Sequence, residues 1–187
     1  DAMTTSWAVL IDADNIQAAQ VEPLLDQVRC RGIIDVARIY GNVALRTDWV
    51  DVSDANGLVL RHQARLTNTK NGSDIALAVD AMKLMHSGFP DGFCIVSGDS
   101  DFVPLVRELR AAGRQVIGAG GQNSGAALRG SCHYWLNAAP VAANAPRTVR
   151  HPETPRHHFI DAVEAAMNGL EWIHLDQLRI HFRDSGQ

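Results

Sequence analysis

Between Gly92 and Arg110 a short apolar run, a turn bearing two acids and an amphipathic stretch follow one another without a break. That succession constrains the fold more than any other feature. Gly92-Phe-Cys-Ile-Val96 is apolar and rich in β-branched and aromatic residues, the pattern of a buried strand. Phe102, Leu105, Val106 and Leu109 recur at helix spacing, and Pro104 suits a first turn, where no backbone donor is needed. Ser97-Gly-Asp-Ser-Asp101 therefore stands where a strand becomes a helix. In open α/β sheets ligands bind outside the carboxyl ends of the strands, so the next question is which other acids reach the same edge.

The same succession recurs along the chain. Strands are expected at 7–11, 33–40, 58–61, 92–96 and 115–119, with a last one at 133–136. Helices are expected at 18–31, 45–55, 73–86, 102–112 and 124–131, and Gly32 and Gly57 stop the first two. The 73–86 helix is almost wholly apolar from Ile75 to Met85 and reads as buried on most sides. His62 to Gly72 is polar and reads as a loop. Strands alternating with helices imply crossover connections. The expected fold is α/β, an open, mostly parallel sheet with helices on both faces in a Rossmann-like three-layer arrangement.

Residues 138–156 differ in kind, with Pro140, Pro146, Pro152 and Pro155 among Ala and Asn, as in an extended linker. Residues 157–187 carry two short helical patterns, too little for an independent core. A 46% hydrophobic share supports a sizeable core, and a net charge of −4 supplies no global positive field to draw in nucleic acid. Binding RNA would then require a local basic patch or a metal. Cys30, Cys94 and Cys132 form no Cys-x-x-Cys pair and each borders an apolar run, so buried reduced thiols in a cytoplasmic protein are expected. No run approaches transmembrane length and no secretion signal is visible, so no membrane is expected as a partner.

Three acidic sites converge on one rim. Asp12 and Asp14 follow the first strand, Asp99 and Asp101 follow the fourth, and Asp74 lies in the first turn of the helix entering that strand. Carboxylates brought together repel unless protonated or bridged by a cation. Oxygen ligands of this kind suit Mg²⁺ or Mn²⁺, and such an ion can bind a phosphodiester, activate water and stabilise the departing oxygen. Taken singly, each acid has a structural reading: Asp74 favouring the helix dipole, Asp101 or Ser100 capping the next helix, Asp14 and Asn15 forming an Asx-turn. Capping does not account for their convergence. Asp80, six positions from Asp74, is turned well away and reads as structural. Asn15 suits a hydrogen bond to a metal-bound water or an aspartate. Lys70 and Arg65 could meet phosphates, and backbone donors at Asn123 and Ser124 could hold an anion.

Ile11-Asp-Ala-Asp-Asn15, Lys70-Asn-Gly-Ser-Asp74 and Ser97-Gly-Asp-Ser-Asp-Phe102, in this order, resemble the NYN domain of the LabA-like branch, within the PIN-like nuclease superfamily. The resemblance covers residues 5–137, and the segment Ser124-Gly-Ala-Ala-Leu-Arg-Gly-Ser-Cys-His133 is similar to the family's closing Ser-x-x-Leu segment. It implies that Asp12, Asp74 and Asp99 are metal-binding catalytic acids, with Asp101 a fourth metal acid and Asn15 and Ser97 supporting. It further implies Mg²⁺ or Mn²⁺ as cofactor, RNA as partner, and a homodimer as a common assembly. The family often has an acidic residue where His133 stands, so no role is carried over to that position. Residues 157–187 resemble the opening of a LOTUS (OST-HTH) module, which in that family binds RNA or protein.

The function expected is a metal-dependent ribonuclease, in which Lys70, Asn123 and Ser124 contact substrate. The alternative is a non-catalytic RNA-binding or regulatory module of the same fold. A weaker similarity runs to haloacid dehalogenase-type phosphatases, with Asp12 as nucleophile and Asp14 as general acid. There, however, Asn15 stands where that family favours Thr or Val, and no cap insertion is evident.

Overall fold

The computed structural model describes residues 5–43, 46–62 and 72–138. The linker and tail expectations for residues 139–187, together with Lys70 and Arg65, lie outside the described residues. Six strands form a single sheet: β1 (Ser6–Asp12), β2 (Ile33–Gly41), β3 (Val59–His62), β4 (Gly92–Val96), β5 (Gln115–Gly120) and β6 (Tyr134–Asn137). Their order is β3-β2-β1-β4-β5-β6 and every neighbouring pair is parallel. The expected α/β sheet is present, and its final strand is parallel like the others.

The burial of each strand follows from its place. β4 is buried at all five residues and β1 from Trp7 to Asp12, as continuous apolar runs are when both sheet faces are covered. Alternation sends Trp7, Val9 and Ile11 to one face, where they meet Leu24, Leu25 and Val28 of helix α1 (Val21–Arg29) and Trp49 of α2 (Thr47–Asn56). Ala8 and Leu10 face the other way, with Phe93 and Ile95. There they pack against Leu77 and Ala81 of α3 (Gly72–His86), Val106 and Leu109 of α4 (Val103–Ala111) and Leu128 of α5 (Ala126–Ser131). Three layers result.

Several expectations are adjusted. The first helix does not span 18–31: a 3₁₀ turn at Ala18–Gln20 precedes α1, which ends at Arg29. α2 closes on Gly57, whose φ of +67° is a left-handed cap that glycine adopts without strain. α3 is not buried on most sides. Ser73, Leu77 and Ala81 face the sheet, while Ile75 and Val79 are exposed. A helix lying on a sheet covers one stripe, and an all-apolar pattern does not reveal which. Cys30 is exposed rather than buried, because it lies two residues, some 200° of helix, beyond the buried Val28. Cys94 is buried and Cys132 only half-buried, all three thiols are free, and burial pushes Cys94 up to about 12.

Two adjacent strands define the crevice. β1 and β4 are neighbours, with Ile11 level with Val96. β1 leaves toward α1 on one face and β4 toward α4 on the other. Chains that diverge from adjacent parallel strands open a crevice at their carboxyl ends. Asp12 and Ser97 are the first residues beyond that last pair.

Candidate active site

Asp12 ends β1 on the face opposite Ile11 and is almost fully enclosed. A buried carboxylate requires partners, and Asp12 has three. Its Oδ2 accepts from Asn15 Nδ2 at 2.6 Å and from Ser97 Oγ at 2.8 Å, and its Oδ1 accepts from the Asp14 amide at 3.1 Å. The last of these is an Asx-turn built on Asp12 rather than on Asp14. Burial pushes the Asp12 carboxyl above its ordinary value, and these hydrogen bonds oppose the shift without cancelling it.

The second loop is tied to the first through Ser97. Its hydroxyl donates to Asp12 and accepts the Asp99 amide at 3.1 Å. Asp99 Oδ1 in turn accepts the Asp101 amide at 2.9 Å and caps a 3₁₀ turn over Ser100–Phe102. The cap is thus Asp99, not Asp101 or Ser100 as the sequence suggested. Asp101 is exposed. The loop after β5 packs on this turn. The Gly125 amide donates to the Gly98 carbonyl at 3.1 Å. At Gly120 a Cβ would come within 2.9 Å of the Ser97 carbonyl oxygen and 2.5 Å of Ser124 Oγ.

Asp74 comes from α3. Ser73 Oγ donates to Asp14 Oδ2 at 3.1 Å, which fastens the first turn of α3 to the exit of β1. Asp74 itself has no hydrogen-bond partner among the described residues. Its carboxyl is pushed up to about 6, by burial first and then by the charges of Asp12, Asp99, Asp14 and Asp101. All five acids therefore act on one place.

Convergence in charge is not the same as a closed ligand set. Among the described residues no three Asp, Glu, His or Cys side chains are gathered as a group that could hold a metal ion. In donor chemistry the rim suits a hard divalent cation, since it presents carboxylate and hydroxyl oxygens and an Asp74 without a donor among the described residues. In spacing it is open.

Other expected residues take different places. Asn123 is exposed beside the rim, and Ser124 donates to the Gly121 carbonyl at 2.8 Å. α5 begins at Ala126, not at Ser124. His133 lies at the opposite rim, where its Nδ1 accepts the Val116 amide at 3.0 Å, a structural bond. Asp80 accepts from Tyr40 Oη at 2.6 Å and Arg38 Nη1 at 2.7 Å, away from the rim acids. Two residues were missed from the sequence. Ser73 gave no signal beyond preceding Asp74. Arg46 precedes α2 and donates from Nη1 to the Ala13 carbonyl at 3.2 Å; an Arg three positions before a Trp was the one available hint.

The sheet and its acidic switch point define an open α/β domain of nuclease-like build. A family model for the NYN domain matches residues 6–138, and the chain belongs to the NYN domain family of the PIN-like nuclease superfamily. A crystal structure of a protein of unknown function from Vibrio parahaemolyticus RIMD 2210633 is similar in fold. It is 18% identical, covers 74% of this chain and 96% of its own, and superposes with a TM-score of 0.60. No curated protein matches the chain. Among the described residues no helix is long and apolar enough to cross a membrane.

Proposed function

We propose that the domain is a metal-dependent ribonuclease. The observation that carries this reading is Asp74: an acid at the switch point, without a donor among the described residues, raised by burial and then by four neighbouring carboxylates. An ionised rim of that kind repels a phosphodiester unless a cation lies between them. Asp12, Asp74 and Asp99 would hold Mg²⁺ or Mn²⁺, with Asp101 at the margin. When bound, the ion would supply charge for the scissile phosphate and lower the pKa of an attacking water.

The chain's own residues divide the remaining tasks. Asn15 and Ser97 fix Oδ2 of the Asp12 carboxylate, while Oδ1 accepts from the Asp14 amide alone among the described residues. The Asp101 amide holds one oxygen of Asp99 and leaves the other without a donor among the described residues. Ser73 sets the depth at which Asp74 enters the crevice.

Replacing Asp99 with Asn should abolish cleavage of RNA in Mn²⁺ while thermal unfolding stays cooperative. Full activity in that variant would refute the assignment. The open spacing of the acids favours one competing reading, an RNA-binding module that does not cut. Assays on structured and single-stranded RNA, in Mn²⁺ and in EDTA, separate the two. A nuclease cuts only with the metal, whereas a binding module retains RNA intact in both.

A further inference from the structure

The rim acids have no cationic partner among the described residues. The ion pairs there join Arg29 to Asp26, Arg38 and Arg61 to Asp80, and Arg46 to Asp48. Yet Arg46 stands beside the rim. Its Nη1 reaches the carbonyl of Ala13, the residue directly after Asp12. A guanidinium placed only to neutralise the rim would pair with a rim carboxylate, and this one is directed elsewhere.

Arg46 is held in place by its own element. Its backbone is the extended N-cap of α2, and its guanidinium lies 5.6 Å from the ring centre of the fully buried Trp49. Stacking on an aromatic face orients a guanidinium without consuming its in-plane donors. Its pair with Asp48 is long, at 3.5 Å, with both side chains about two-fifths exposed, 41% and 42%. Such a pair neutralises little. A guanidinium has five N–H donors in a planar fork that matches a phosphate. In Arg46, Nη1 and Nη2 each use one donor, on Ala13 and Asp48, and the other three N–H groups have no acceptor among the described residues.

We infer that Arg46 binds a backbone phosphate of the RNA, adjacent to the one at the acidic centre, where the strand crosses the end of β1 toward α2. The inference rests on the ribonuclease reading. It gives the path a direction: acids at the β1–β4 crevice, then the cation over Ala13. A phosphate contact positions the strand without reading its bases, so Arg46 contributes to every sequence alike.

The test uses the full chain carrying Asp99→Asn, so that RNA stays intact, and a short single-stranded oligoribonucleotide. Affinity is measured across a range of salt concentrations with and without Arg46→Gln. Loss of one phosphate contact should reduce the slope of log affinity against log salt by about 0.7. It should also weaken binding several-fold at low salt, equally for unrelated sequences. Arg46→Lys should restore the slope, because charge is retained, but not the whole affinity, because the fork is lost. A folded Arg46→Gln protein with an unchanged slope would overturn the inference, since a purely structural tether between α2 and β1 leaves the slope alone. Should Arg46→Gln not fold, Arg46→Lys with its slope reduced as for a lost contact would overturn it too. If the parent chain neither binds nor cuts RNA, the ribonuclease reading falls and this inference with it. If the parent cuts RNA and only the slope fails to respond, this inference alone falls.

Discussion

Asp74 and Asp80 share a helix, and their surroundings set them apart. Asp74 is raised to about 6, so in the metal-free protein the native state holds its proton more tightly than the unfolded chain does. For an acid with a raised native pKa, stability is greatest below the unfolded value, near 4, and is lost as pH rises toward 6. Asp74→Asn removes that penalty. Metal-free Asp74→Asn should melt above the parent at pH 7 to 8, and the two should converge near pH 4; a constant gap across that range would contradict the electrostatic account. Asp80 is the opposite case. Burial raises it, but hydrogen bonds from Tyr40 and Arg38 and the charge of Arg38 outweigh this, and its pKa falls below the ordinary value. Asp80→Asn should cost about 1–3 kcal/mol of stability yet leave cleavage intact at a temperature where the variant is folded, which a melting curve and an RNA assay together would verify. The sequence separated these two acids by their six-residue spacing. It did not show that Asp99 is itself the cap of the next turn, because capping depends on which side chain reaches back.

At the scale of elements, four segments build the rim, and three small residues pin them together. Ser73 fastens α3 to the β1 exit, Ser97 fastens the β4 exit to Asp12, and Gly120 lets the β5 exit approach the Ser97 carbonyl. Gly120→Ala would press a methyl against that carbonyl. Overpacking of this kind costs about 1–3 kcal/mol, and here the displaced atoms belong to the acidic loop. The variant should lose cleavage out of proportion to its loss of melting temperature. Normal kcat/KM in a destabilised variant would show that the β5 exit does not set the site. Strand positions were legible because each apolar run ends at a Gly, an acid or a polar turn. The solvent-facing side of α3 was not, since Ile75 and Val79 look like core residues in a pattern with no polar face. The position of Arg46 was not legible either, because it depends on the approach of α2 to the end of β1.

At the scale of the whole molecule, strand order does the organising. With β1 and β4 adjacent and their helices on opposite faces, residues 12, 74 and 99 must meet at one rim. This much followed from the alternation of strands and helices, and the NYN family match spans the same architecture. How closely the carboxylates approach one another did not follow, because like charges stand apart without a counterion, and spacing along the chain is silent on that balance. The most direct measurement is therefore a crystal soaked in Mn²⁺ and examined by anomalous scattering. A single strong peak ligated by at least two of Asp12, Asp74 and Asp99 is the predicted result. A peak confined to another surface, or none among these three acids at saturating Mn²⁺, would contradict the claim that they form a cation-binding catalytic centre.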